Sequence, residues 1–133
     1  MRDDRGVGMV PTAAGFVVFI LFLLLAVQIL YGLYATSTVR GTLNDAASRA
    51  ANGVTSDADL RRLADDAERS LGGMGDRTTI ELWLVDEDGD GVPDVVAGSA
   101  VADPPRFVPP PFRGAAGLGD ITVSARVRIE RFR

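Results

Sequence analysis

The residues with the most chemical character lie between Asp86 and Asp94, in the run D-E-D-G-D-G-V-P-D. Asp86, Asp88 and Asp90 alternate, Gly91 follows, and Asp94 closes the run. Alternate carboxylates in a tight loop converge on one point, and a hard cation such as calcium prefers several oxygen ligands. Counted from Asp86, the four aspartates take positions 1, 3, 5 and 9 of a calcium loop, with glycine at position 6, where the chain must turn sharply. Position 12 is Ala97, so the bidentate glutamate that closes a helix–loop–helix site is missing. Val95 and Val96 favour a strand after the loop, not a helix. Asp86, Asp88, Asp90 and Asp94 are therefore the candidate metal ligands. The site expected is a weak one for Ca2+, in the range of about 10⁻⁴–10⁻³ M typical of extracellular modules. The same residues also read as an acidic hairpin loop, because Asp-Gly is a strong turn signal. The two readings are compatible, since a cation that neutralised the carboxylates would stiffen the turn.

Composition closes off most other chemistry. The 133 residues include no Cys and no His, and all 14 basic residues are Arg. Disulfides, thiolate nucleophiles, imidazole acid–base catalysis and ordinary zinc sites are excluded. Paired carboxylates could serve acid–base work, but here they crowd a metal-type loop or lie along a helix. There is no nucleophile elbow and no phosphate loop, so no catalytic residue, organic cofactor or small-molecule substrate is inferred. No basic stripe carries interleaved aromatics, which argues against nucleic acid as a partner. The net charge of -4 is unevenly spread. Asp57 to Asp94 holds 12 acidic and 4 basic residues, whereas Val101 to Arg133 holds 3 acidic and 6 basic.

The segment that must carry this loop to its place of work is Pro11–Ala35, PTAAGFVVFILFLLLAVQILYGLYA. From Ala13 to Leu33 it bears no charge, and its one amide side chain is Gln28. About 20 apolar residues suffice for a helix to cross the hydrocarbon core of a bilayer, and this stretch reaches roughly 31 Å as a helix. A single membrane-spanning helix is expected, with Pro11 in its first turn. The alternative, a buried core helix, requires more surrounding chain than remains. The apolar run is longer than that of a signal peptide and ends without an A-x-A site, so a retained anchor is expected. Arg2 and Arg5 precede the helix closely, whereas Arg40 follows at a distance, so positive charge favours a cytoplasmic N-terminus and an extracytoplasmic C-terminal domain. Gln28 is the one polar group available inside the membrane to mark a helix–helix contact.

Beyond the anchor the pattern is that of an α+β chain. Residues 1–10 form a leader, 11–35 the transmembrane helix and 36–55 a stalk helix stopped at Gly53. Residues 56–133 form the domain, with a Pro/Gly-rich extended loop at 103–119. On the stalk, Val39, Leu43, Ala46, Ala47, Ala50 and Ala51 recur at helical spacing. This face packs either on partner helices, in a homo-oligomer or a complex, or on its own domain. Ser56–Leu71 is an amphipathic helix with an apolar stripe at Leu60, Leu63, Ala64, Ala67 and Leu71. Ser56 and Asp59 resemble a capping box, Gly72-Gly73 end the helix, and the charges from Asp57 to Arg69, Glu68 among them, read as a solvated face. Three antiparallel strands are expected, at Thr78–Val85, Pro93–Ala97 and Ile121–Phe132. The first turns Ile80, Leu82 and Leu84 inward, and Trp83 outward as a packing residue. The last turns Ile121, Val123, Ala125, Val127 and Ile129 inward. Arg126, Arg128, Arg131 and Arg133 then lie on a solvated face that protects the sheet edge, or meet a partner or an anionic membrane.

Two resemblances attach to these residues. The leader, the apolar helix with Gln28, Tyr31 and Tyr34 near its end, and the tail Val39–Ala51 resemble the N-terminal region of TadE/TadG-like proteins, pseudopilin-type components of tight-adherence pili. The likeness covers roughly Arg2–Gly53. It implies a non-enzymatic bitopic protein of the cell membrane whose outer domain serves pilus or secretion assembly. Prepilin substrates of this type carry a Gly before the cut, which Gly6 or Gly8 could supply, and a Glu at the fifth mature position. Pro11 or Ala13 stands there instead. Separately, Asp86–Asp94 resembles the short D-x-D-x-D-G-x-x-D calcium loops of thrombospondin type 3 and dockerin-like repeats. That likeness implies a membrane-tethered, extracytoplasmic calcium-binding module of an envelope complex.

Overall fold

One uninterrupted helix, α1 (Met9–Gly53), joins the apolar stretch to the Ala-rich one. Nothing between them breaks it: α1 holds no proline after Pro11, and alanines recur from Ala35 to Ala51. A computed structural model describes residues 8–53, 56–112 and 119–130. The leader with Arg2, Arg5 and Gly6, loop glycines Gly114 and Gly117, and Arg131 and Arg133 lie outside these residues. After α1 come α2 (Asp57–Ser70), a 3-10 turn (Gly72–Arg77), and strands β1 (Thr78–Val85), β2 (Val95–Ala102) and β3 (Ile121–Arg128). The strands form one antiparallel sheet in the order β1-β2-β3. The chain is thus α+β, a long apolar helix followed by a second helix and a three-stranded sheet.

The chain divides into two compact units. One holds α1 up to Gly32 together with the loop from Pro105, and the other holds Leu33–Pro104 and the segment from Gly119. In the second unit, the small-residue face of α1 is spent on the chain's own core. Val39, Leu43 and Ala47 are fully buried there, with Ala46 and Ala50 nearly so. They pack with Leu60, Ala64 and Ala67 of α2 and with Ile80, Val96, Ala100, Val123 and Ala125 of the sheet. Of the two expectations for this face, packing on its own domain holds. Val39 and Leu43 are therefore not open to a partner helix.

The α2 start follows its sequence signal. The Ser56 Oγ accepts from the Asp59 backbone N–H at 3.3 Å and donates to the Asp59 carboxylate at 2.8 Å. This satisfies one of the orphan donors of the first turn. One charge on this helix departs from the solvated face. Glu68 Oε1 accepts the Ile80 backbone N–H at 2.7 Å. Ile80 lies on β1, an edge strand with an unpaired row of backbone groups, so the Glu68 carboxylate covers part of that edge.

The strand boundaries need two corrections. β2 begins at Val95, two residues later than the expected Pro93, and runs five residues past Ala97, through Gly98, Ser99 and Ala100 to Ala102. These residues have weak strand propensity, yet β2 is the central strand and is paired on both sides. Its small side chains let the helices approach: a Cβ on Gly98 would lie 3.0 Å from the Leu43 Cδ1 and 2.7 Å from the Leu82 Cδ2. β3 ends at Arg128, shorter than its alternating pattern, though Ile129 still packs against the core. On the opposite sheet face, Trp83 and Arg126 stand across Ala97 in register. Ala97 is buried while Trp83 stays 43% exposed, so Trp83 acts as a cross-strand cover.

Candidate metal site on the β1–β2 hairpin

The Asp86–Asp94 run is the connection between β1 and β2, held at its neck by Val85 and Val95, which pair in register. The Asp94 N–H donates to the Val85 carbonyl at 3.0 Å, and the Asp94 carbonyl accepts from the Ile129 N–H at 2.8 Å. The loop base is therefore tied to β1 and to the end of β3. Within the loop the backbone curls around the carboxylates. Asp86 accepts from the Gly89 N–H at 2.7 Å through Oδ1 and from the Gly91 N–H at 2.8 Å through Oδ2. Asp88 Oδ1 accepts from the Asp90 N–H at 3.2 Å, and Asp90 Oδ1 from the Val92 N–H at 2.8 Å. Such Asx-type bonds let a short acidic loop turn without secondary structure. Gly89 and Gly91 have φ of 74° and 82°, the left-handed region that glycine enters without steric cost.

This curl brings Asp86, Asp88 and Asp90 together. Each offers a carboxylate oxygen, and these atoms lie within 4.8 Å of one another, a group that could hold a metal ion. Asp94, the fourth expected ligand, stands outside this triad. Its Oδ1 accepts the Glu87 N–H at 2.9 Å, so it serves as a brace across the loop. Glu87 also faces Arg126 of β3 at 3.6 Å, an exposed pair of little energetic weight.

Crowding in the loop separates the acidities of Asp86 and Asp88. The Gly91 N–H, with some opposition from reduced hydration and help from the Gly89 N–H, holds Asp86 below the usual carboxylate value. Asp88 moves the other way. The Asp90 N–H pulls it down most strongly, but the neighbouring Asp86 carboxylate, partial loss of hydration and the charges of Asp90 and Asp94 together push it up. A divalent cation at the triad would relieve that repulsion, which is the chemistry the arrangement offers.

A second polar focus escaped the sequence reading. Gln28, expected to mark a contact between helices, is 2% exposed and bonds to the chain's own loop. Its Nε2 donates to the Pro105 carbonyl at 3.2 Å, and its Oε1 accepts the Phe107 N–H at 2.6 Å. Tyr31 meets Phe107 edge to face at 5.9 Å between ring centres. The first part of the Pro/Gly-rich loop is thus seated on α1, not freely extended. No local signal links residues so far apart in the chain, although a lone amide in an apolar helix marks that a partner exists.

No protein-family model, curated protein or solved structure matches this chain.

Proposed function

We propose that this chain is a single-pass membrane protein that tethers a small, non-enzymatic, extracytoplasmic α+β module, and that the β1–β2 hairpin of this module binds calcium as a structural ion. The observation that carries the tether is the inverted exposure of α1. Between Met9 and Tyr34 the buried residue is Gln28, while Phe16, Phe19, Phe22, Leu30 and Leu33 are 60–71% exposed. In water this arrangement is unfavourable at about 25 cal/mol per Å² of apolar surface; in lipid it is the expected one. The helix is long and apolar enough to span. The close approach of Asp86, Asp88 and Asp90 supports the calcium reading, and the extracytoplasmic side follows from the charge flanking the helix.

The test is thermal unfolding of the protein with calcium or with chelator. With a Kd of about 10⁻⁴–10⁻³ M, calcium at about 10 mM should stabilise the module by about 1.4–2.7 kcal/mol. The Asp88→Asn, Asp90→Asn double variant should lose the shift. An unchanged melting temperature, alike in both proteins, leaves a plain acidic turn.

A second reading, assembly component of a TadE-like pilus or secretion system, is favoured by one observation: the C-terminal half of a long N-terminal helix packs on an antiparallel sheet, as in pilin-like domains. On this reading partner helices meet the lipid-facing residues of α1, because the Val39–Ala50 face is occupied.

A further inference from the structure

We propose that the Phe107–Phe112 segment of the proline-rich loop is a membrane-inserted element, buried among the acyl chains that surround α1; this rests on the reading of α1 as a membrane span. The position of the loop along α1 carries the argument. Phe107 meets Tyr31. Val108, Pro109 and Phe112 then share an apolar cleft of about 220 Å³ with α1 residues that include Leu21 and Leu25. Leu25 lies roughly 12 Å along the helix axis from Leu33, the end of the apolar run. Half of a hydrocarbon core is about 15 Å. If α1 spans, the far end of this segment therefore lies well inside the hydrocarbon.

Irregular backbone is excluded from lipid unless its polar groups are satisfied, and this segment has few free backbone donors. Pro109, Pro110 and Pro111 have no N–H to satisfy. The Phe107 N–H and the Pro105 carbonyl are both bonded to Gln28, and the Phe112 N–H donates to the Pro109 carbonyl at 3.0 Å. The outward side chains are apolar, with Phe107 44% and Phe112 50% exposed. From Phe107 to Phe112 the segment carries no charge. Gln28 is then a positioning residue: it supplies, from within the span, the partners that water cannot.

The absence of cysteine gives a clean test. The full-length chain is reconstituted in lipid bilayer discs, as Leu23→Cys, Phe112→Cys and Asp65→Cys single variants, and treated with a charged, membrane-impermeant maleimide. Leu23 is 48% exposed and Phe112 50%, so the protein itself shields neither, and lipid must supply any protection. Asp65 on the exposed side of α2 reports a water-facing site. The expected result is labelling at both Leu23→Cys and Phe112→Cys at least about tenfold slower than at Asp65→Cys, because thiolate and reagent are both excluded from hydrocarbon. Fast labelling at Phe112→Cys with protection at Leu23→Cys overturns loop insertion and leaves the span intact. Fast labelling at Leu23→Cys overturns the span and the insertion with it.

Discussion

Asp88 shows at the residue scale how carboxylates that close a turn could also hold a cation. Within the loop Asp86 is held below, and Asp88 above, the ordinary value of 3.8. The signs follow from linkage. The depressed Asp86 contributes stability that is present above the ordinary value and is lost as pH falls through its lower folded value. The raised Asp88 does the reverse: the folded loop holds this proton more tightly than the unfolded chain, so its repulsion is relieved as pH falls through the raised value. Carboxyl-resolved NMR titration of the metal-free protein should find Asp88 titrating above 3.8 and Asp86 below it, with calcium drawing both downward. Equal titration at the ordinary value would mean that the triad does not form in solution. The spacing of Asp86, Asp88 and Asp90 made this triad legible, because alternation and glycine position are local properties. Asp94 was not legible as a brace, since the same residue type at the same spacing can ligate a cation or accept the Glu87 N–H.

Among the elements, α1 and α2 announce themselves and β2 does not. The α2 apolar stripe and its Ser56 cap act within one turn of chain, so sequence alone places them. β2 reads Val-Val-Ala-Gly-Ser-Ala-Val-Ala, and its second half lacks the β-branched alternation that marks a strand. It is a strand because β1 and β3 pair with it on both sides and because Leu43 and Leu82 press on Gly98. Gly98→Val is therefore expected to destabilise the fold by about 1–3 kcal/mol through overpacking, although it raises strand propensity. Thr122→Val, on the exposed sheet face, should stay within about 0.5 kcal/mol. Denaturant unfolding of the two variants checks this, and a stabilised Gly98→Val would show that the helix does not press on the strand there. The Glu68 bond to the Ile80 N–H belongs to this scale too. Its charge pattern resembles any solvated helix face, and the edge it covers exists only once the sheet has formed.

At the scale of the whole molecule, the N-terminal sequence bears on whether anything is removed from the chain. A prepilin-type cut after Gly6 or Gly8 would place Pro11 or Ala13 at the position where such helices carry glutamate. Lacking that residue, the membrane-extracted protein is expected to show the mass of a chain uncut at either glycine. A mass beginning at Val7 or Met9 would instead favour the pilus-assembly reading over the plain tether. Charge is divided at the same scale: the acidic excess falls on Asp57–Asp94, which includes the Asp86–Asp94 loop, and the basic excess on Val101–Arg133.

By itself the sequence determined the long apolar helix, its continuation to Gly53, the capped α2, the three-stranded α+β pattern and the convergence of Asp86, Asp88 and Asp90, though not of Asp94. Each depends on periodicity, capping or turn chemistry acting over a few neighbouring residues. Tertiary structure decided the rest: the use of the Val39–Ala50 face, the full length of β2, the role of Glu68, and the seating of the proline-rich loop on Gln28. These contacts join residues far apart in the chain, where packing and the need to satisfy buried polar groups outweigh local preference.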